Sequence, residues 1–313
     1  IMSVALIIVF IFGINIAGGI PAVVENAQSL PGYLTMMTTY DPVAGVEQPY
    51  PIINIISMIA WGLGYFGMPH ILLRFMAIED EEKLTLSRRV ATIWVVISLA
   101  VAVLIGVIGL AMSDVGALKT LTGSDSETII VQIADLLSKH GILPALLAGT
   151  ILAGILASTM STADSQLLAA SSAVSSDLFG DRVAKTGDKK KAMNAARFTL
   201  LAIAVIAAFI ARDPNSSVFG IVSFAWAGFG AVFGPVVLFA LFWRRSNWQG
   251  ALAGMISGGA MVFIWKYLVR PLGGVWNIYE LLPAFSVSCL MIVIVSLLTK
   301  APSKEITEEF DRV

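Results

Sequence analysis

Cysteine is almost missing from this chain of 313 residues: Cys289 is the only one. An intrachain disulfide and a thiolate metal cluster are therefore excluded. Histidine is nearly as scarce, with His70 and His140 alone, which argues against a zinc-type site built on imidazoles. Charge is thin as well. Charged residues make up 13% of the chain, against about 25% in an ordinary soluble domain. The formal net charge is -1, so no basic field exists to hold a nucleic acid. No grouping of nucleophile, base and metal ligands stands out either, which disfavours an enzyme. What fills the sequence is apolar: 57% of residues are hydrophobic and the mean hydropathy is +0.85. So little charge cannot solvate a soluble globule of this composition. The sequence predicts an all-α protein that crosses a lipid bilayer several times.

The chain opens at Ile1, already inside an apolar run that reaches Ala17. No basic segment and no small-residue cleavage site accompany it, so it does not read as a signal peptide. It reads as a span entered partway along, and a preceding N-terminal half is expected. A bilayer is crossed by about 20 apolar residues in a helix. Eight stretches qualify: 1–18, 52–76, 90–112, 143–169, 195–211, 218–243, 249–268 and 280–299. The fourth continues amphipathically towards Phe179. The connections 19–51 and 113–142 are long enough for short interfacial helices. The expected organisation is a transmembrane domain over 1–300 and a charged tail over 301–313.

Lys and Arg set the orientation. Alternation of eight spans puts 15 of the 20 basic residues on one side, Arg88, Arg89, Lys189, Lys190 and Lys191 among them. The other side keeps Lys119, Lys139, Arg212, Lys266 and Arg270. The rich side is expected to be cytoplasmic, which places the C-terminus on the cytoplasmic face of a plasma membrane.

The second span holds Trp61-Gly62-Leu63-Gly64-Tyr65-Phe66-Gly67-Met68-Pro69-His70. Each glycine costs a helix about 1 kcal/mol against alanine and proline about 3. Two readings follow. The break can form a mid-membrane substrate site, as interrupted helices do in transporters, or the glycines can form a notch for a neighbouring helix. Trp61, Tyr65 and Pro69 recur every four residues and would share one face if the segment were mostly helical. His70 and Arg74 read as interfacial anchors.

The fourth span carries Ser158-Thr159-Met160-Ser161-Thr162-Ala163-Asp164-Ser165-Gln166. At about 100° per residue, Ser158, Ser161, Thr162, Ser165, Ser172 and Ser176 fall in a stripe about 100° wide. Thr159, Ser171 and Ser175 fall outside it. Neutral oxygens suit a hard monovalent cation that must bind and then leave, and a Ser158 carbonyl could join Ser161 and Thr162. The competing reading is hydrogen bonding between helices. Asp164 lies about 240° round from Ser158. It is a functional candidate by its place in a span, or a hydrogen-bonded group in a polar crevice. The sixth span adds Gly230 and Gly234, a GxxxG pair for close packing, and Phe224, Trp226 and Phe229 as candidates for an aromatic gate.

Three stretches, Trp61 to Met76, Ser158 to Ser172 and Val222 to Gly254, are long and specific. On these residues the chain closely resembles the sodium:solute symporter family, in its bacterial proline-transporting branch. The resemblance extends over nearly the whole sequence. It implies a LeuT-type core of two inverted repeats, of which this chain would hold the second repeat and two trailing helices. It implies Na+ as coupling ion, with the Ser161 and Thr162 hydroxyls and the Ser158 carbonyl as ligands. It also implies L-proline as substrate, with Trp61, Tyr65 and Pro69 tied to its binding. Met68 departs from a glutamine expected before that proline, and Asp164 from an uncharged residue. Two other readings stand beside it: sodium symport of another small solute, such as pantothenate or a different amino acid, and a membrane sensor module.

Overall fold

A computed structural model describes residues 2–173, 189–212 and 217–312. Among them are twelve α-helices and one two-stranded sheet. In chain order these are α1 (Met2–Ile16), α2 (Ile20–Ser29), β1 (Thr38–Asp41), β2 (Val46–Pro49), α3 (Ile52–Ala60), α4 (Pro69–Met76) and α5 (Lys83–Asp114). There follow α6 (Ile129–Ser138), α7 (Ile142–Ala173), α8 (Lys189–Ile210), α9 (Val218–Phe242), α10 (Trp248–Ile264), α11 (Leu281–Leu298) and α12 (Lys304–Phe310). A 3₁₀ segment, Trp61–Gly67, joins α3 to α4. Helix dominates because hydrocarbon offers no partner for a free peptide group, so each span must bond its own backbone.

Among the described residues, six helices are long and apolar enough to cross a membrane, and the number rises to eight if each of two bent pairs is one span. This is the expected multi-pass architecture. The bent pairs are α1 with α2, at 77°, and α3 with α4, at 50°. The first bend sits on Gly18 and Gly19, whose φ angles of 92° and 96° suit glycine alone. The helices expected in the long connections exist as α2 and α6. The hairpin β1–β2, in antiparallel register Thr38↔Pro49, is an addition that the sequence did not announce. Its strands lack the alternation of a half-buried pair, and Val46 to Pro49 are all exposed.

The chain divides into two compact units. The first takes residues 1–30 and 91–217, and its core is built on Val9, Ile105, Ile108, Met112, Ile133 and Ile151. The second takes residues 31–90 and 218–313. Its core is built on Ala227, Ala231, Val262, Leu281, Ala284 and Phe285.

Within the second unit α10 lies close against α11. Gly250, Gly254 and Gly258 stand every four residues on α10 and face Ser296, Ile292 and Ser288. Small residues at that spacing let two helix backbones approach. Asn247 starts α10: its side chain accepts from the Gly250 N–H at 2.8 Å and donates to Thr299 Oγ1 and to the Lys300 carbonyl, each at 2.8 Å. It ties the start of one helix to the end of the next. Asn247→Ala removes the cap, for about 1 kcal/mol, and the bonds to Thr299 and Lys300, for about 0.5–1.5 kcal/mol each. The expected result is a clear drop in the melting temperature of the detergent-solubilised protein, followed by size-exclusion after heating.

Candidate functional site

The second unit contains the broken span. The helix tightens from α to 3₁₀ at Trp61, and Met68 is extended at φ −82°, ψ 112° before α4 begins at Pro69. Pro69 explains the stop, because its ring disfavours helical geometry at the residue before it and it brings no N–H. The opened backbone finds partners in α9. The Trp61 carbonyl accepts from Trp226 Nε1 at 3.0 Å. A side chain at Gly64 would collide with the Trp226 indole, and one at Gly67 with the Phe229 carbonyl and the Gly230 backbone. Gly230 in turn faces the Gly64 Cα. The glycines thus break the helix and form a notch for α9, which is the packing reading of this motif. Gly230 and Gly234 supply the opposing half, as the GxxxG spacing predicts. Gly62 meets nothing within 4 Å, so its contribution is to the break alone.

The 3₁₀ winding changes one expectation. At three residues per turn, positions four apart diverge by about 120°, so Trp61 and Tyr65 do not share the single face assumed for an α-helix. Trp226 reunites them. It stacks on Trp61 at 5.4 Å between centroids and meets Tyr65 edge-on at 4.8 Å. Trp61 also stacks on Phe219 at 5.3 Å and on Tyr279 at 5.9 Å. Pro69 is exposed and stands beyond the break, in the first turn of α4. Of the gate candidates, Trp226 joins this cluster. Phe224 packs with Phe263 and Tyr267, and Phe229 with Phe233.

Trp61 and Phe219 line a cavity of about 250 Å³ in this unit. Asn54, Ser57, Tyr279, Arg270 and Asn277 supply its polar lining. The Tyr279 N–H donates to Ser57 Oγ at 3.0 Å, and its hydroxyl donates to the Ser223 carbonyl at 2.6 Å. Burial pushes the Tyr279 phenol far above its ordinary value. The neighbouring Glu280 charge adds to that, and Arg270 opposes it. Tyr279 therefore remains a hydrogen-bond donor. Glu280 is 1% exposed and accepts from Arg270 Nη1 at 2.8 Å, with Lys266 Nζ at 3.8 Å. Arg270 Nε donates to Asn277 Oδ1 at 3.0 Å. The sequence reading passed over Tyr279, Glu280, Asn277 and Arg270 as site residues. The available signal was Lys266 and Arg270, standing on the side that is otherwise poor in basic residues.

The hydroxyl stripe belongs to the first unit, on α7. Thr162 Oγ1 donates to the Ser158 carbonyl at 3.2 Å, and Ser165 Oγ to the Ser161 carbonyl at 2.9 Å. Ser158, Thr162 and Gln166 line one shallow groove. Ser161 is not among the groove's lining residues. Ser161, Thr162 and Asp164 are exposed, and Ser158 is half-buried. The alternative use of such hydroxyls, bonding between helices, occurs at Ser171: it is 2% exposed and donates to the Ala196 carbonyl of α8 at 2.7 Å. Ser171 is one of the residues that fall outside the stripe. Ser175, Ser176 and Phe179 lie outside the described residues.

Residues 1–258 match the model of the sodium:solute symporter family. The sodium/proline symporter of Escherichia coli (strain K12) is 41% identical over 259 residues, which is 82% of this chain and 50% of that protein. The high-affinity proline transporter PutP of Bacillus subtilis (strain 168) is 41% identical over 261 residues, 83% of this chain and 52% of the relative. The osmoregulated proline transporter OpuE of the same organism is 37% identical over 304 residues, 97% of this chain and 58% of the relative. The chain thus spans about half the length of these curated relatives.

Proposed function

We propose, for a chain that belongs to the sodium:solute symporter family, that it forms part of a transporter importing L-proline with Na+ across the plasma membrane. The observation that carries this reading is the interrupted span at Trp61–Pro69, lying against α9 with an aromatic-walled cavity beside it. Discontinuous helices are where secondary transporters hold their substrates. The names of the relatives supply proline as the solute.

In this mechanism the Ser161 and Thr162 hydroxyls and the Ser158 carbonyl offer oxygens to Na+. A hydroxyl that donates to a carbonyl keeps its lone pairs for a cation, and Thr162 has that arrangement towards Ser158. Trp61, Tyr65 and Pro69 form the substrate side, with Trp226 as the surface that joins the first two. The exposed polar face of α7 calls for polypeptide cover, because ionisable groups in a span turn to a protein interior or a water-filled cavity. The N-terminal half of a LeuT-type transporter provides that cover in this scheme. Coupling is linkage: Na+ binds the proline-competent conformation better than the alternative, and proline strengthens Na+ binding by the same factor. The C-terminus is cytoplasmic, a reading supported by the 15-to-5 division of basic residues.

The test is uptake of labelled L-proline by cells expressing the complete gene, in sodium, lithium and potassium media in turn. Uptake should require sodium and be blocked by excess L-proline, and pantothenate should not compete. Equal uptake in potassium medium would refute the assignment. Stronger competition by pantothenate or by another amino acid would move the substrate within the family.

A further inference from the structure

The cavity beside Trp61 is lined by two kinds of side chain. Trp61 and Phe219 are aromatic, and Arg270, Asn277 and Asn54 are polar. Arg270 is the one charged residue among the described residues that line it. Its guanidinium spends Nη1 on Glu280 and Nε on Asn277. A guanidinium has five N–H donors, so donors remain after those two bonds, and the side chain is 40% exposed. The surrounding charge favours an anion. Glu280 is buried and faces two cations, Arg270 and Lys266, so the cluster carries one positive charge more than it neutralises. Lys266 is turned aside, 3.8 Å over the Phe224 ring. Tyr279, held protonated by burial, lines the same cavity.

We infer that this cavity is an anteroom for a free amino acid, in which Arg270 takes the α-carboxylate and the Trp61 and Phe219 rings pack against the apolar body. Guanidinium matches a carboxylate in geometry and charge, and an aromatic lining with a few placed polar groups suits a small solute. Tyr50, Arg270 and Asn277 lie in the connections that the proposed orientation puts outside the cell. The anteroom is thus entered before the break in the span. The inference rests on the transport reading and adds to it a recognition element for the carboxylate.

The experiment is competition for L-proline uptake by prolinamide, which lacks the carboxylate, in cells expressing the complete gene. The unmodified transporter should prefer proline to prolinamide by at least about tenfold, or about 1.4 kcal/mol. Arg270→Gln alone would strand the buried Glu280 carboxylate, so the informative variant is Arg270→Gln with Glu280→Gln. It should raise KM for proline about tenfold and lower the preference by the same factor, with maximal rate and membrane protein amount kept. Arg270→Lys should restore part of the preference. A purely structural clamp would give less protein or a lower maximal rate at unchanged KM, and that result would overturn the inference.

A second measurement is independent of transport. With Cys289→Ser as background, Asn54→Cys should react with a membrane-impermeant thiol reagent from outside, and proline should slow the reaction while prolinamide does not. Absence of proline uptake would refute the transport reading alone. Protection at position 54 would still support the anteroom, and equal labelling with and without proline would overturn it.

Discussion

Gly67→Val should leave little folded protein and no measurable uptake, whereas Gly62→Ala, five residues earlier, should be tolerated. The two glycines belong to one broken span and differ in what lies beside them. At Gly67 the first side-chain carbon would meet the Phe229 carbonyl, the Gly230 Cα at 2.8 Å and the Gly234 nitrogen at 2.8 Å. All three are backbone atoms, so no rotamer change can make room. Overpacking a core normally costs about 1–3 kcal/mol. Here two helices must separate, which also strips the hydrogen bond from Trp226 to the Trp61 carbonyl. At Gly62 nothing lies within 4 Å and φ is not positive, so alanine gains about 0.4–1 kcal/mol by restricting the unfolded chain. Thermal denaturation of both variants in detergent, beside uptake, makes the comparison. Equal melting temperatures would show that α9 does not depend on the notch.

Thr162→Ala should raise the sodium concentration for half-maximal uptake by about tenfold or more while leaving the amount of protein unchanged. Tenfold is about 1.4 kcal/mol, a reasonable share for one lost oxygen ligand. The prediction separates ion binding from folding because Thr162 is exposed on α7 and its recorded bond is to the Ser158 carbonyl within the same helix. Among the described residues, removing this hydroxyl strips no partner from a neighbouring helix. Thr162→Ser should keep most of the sodium affinity, since it keeps the oxygen. Ser171→Ala is the contrasting case. It deletes the bond to Ala196 between α7 and α8, so it should lower stability by about 1 kcal/mol with little change in sodium dependence. If Thr162→Ala and Ser171→Ala behaved alike, the hydroxyls of α7 would all be structural.

The residues differ in how plainly they announce themselves. Spans are legible because a bilayer sets both a length and an obligation to bond internally, and each of the eight apolar stretches matches a crossing helix or a bent pair. The break at Trp61–Pro69 is legible for the same local reason: three glycines and a proline act on their own turn of helix. The partner of Ser171 is not legible: it falls outside the stripe that holds Thr162, and only the structure brings the Ala196 carbonyl to it. Nor is the face shared by Trp61, Tyr65 and Pro69. An α-helical period was assumed where the chain winds as 3₁₀, and the glycines that loosen the helix are also those that admit α9.

The sequence by itself determined the class of protein, the places of its long apolar stretches, the interruption of one of them, and the family resemblance that the comparison with known proteins upholds. These follow from composition and from interactions between residues a few positions apart. Tertiary structure decided the rest. Trp226 reaches the Trp61 carbonyl across 165 positions, and Tyr279 reaches Ser57 across 222. Arg270, Asn277 and Trp61 share a cavity that no spacing in the chain foretells. Such pairings depend on which helix faces lie together, and apolar runs of similar composition leave that choice open until glycine notches and buried hydrogen bonds select one arrangement.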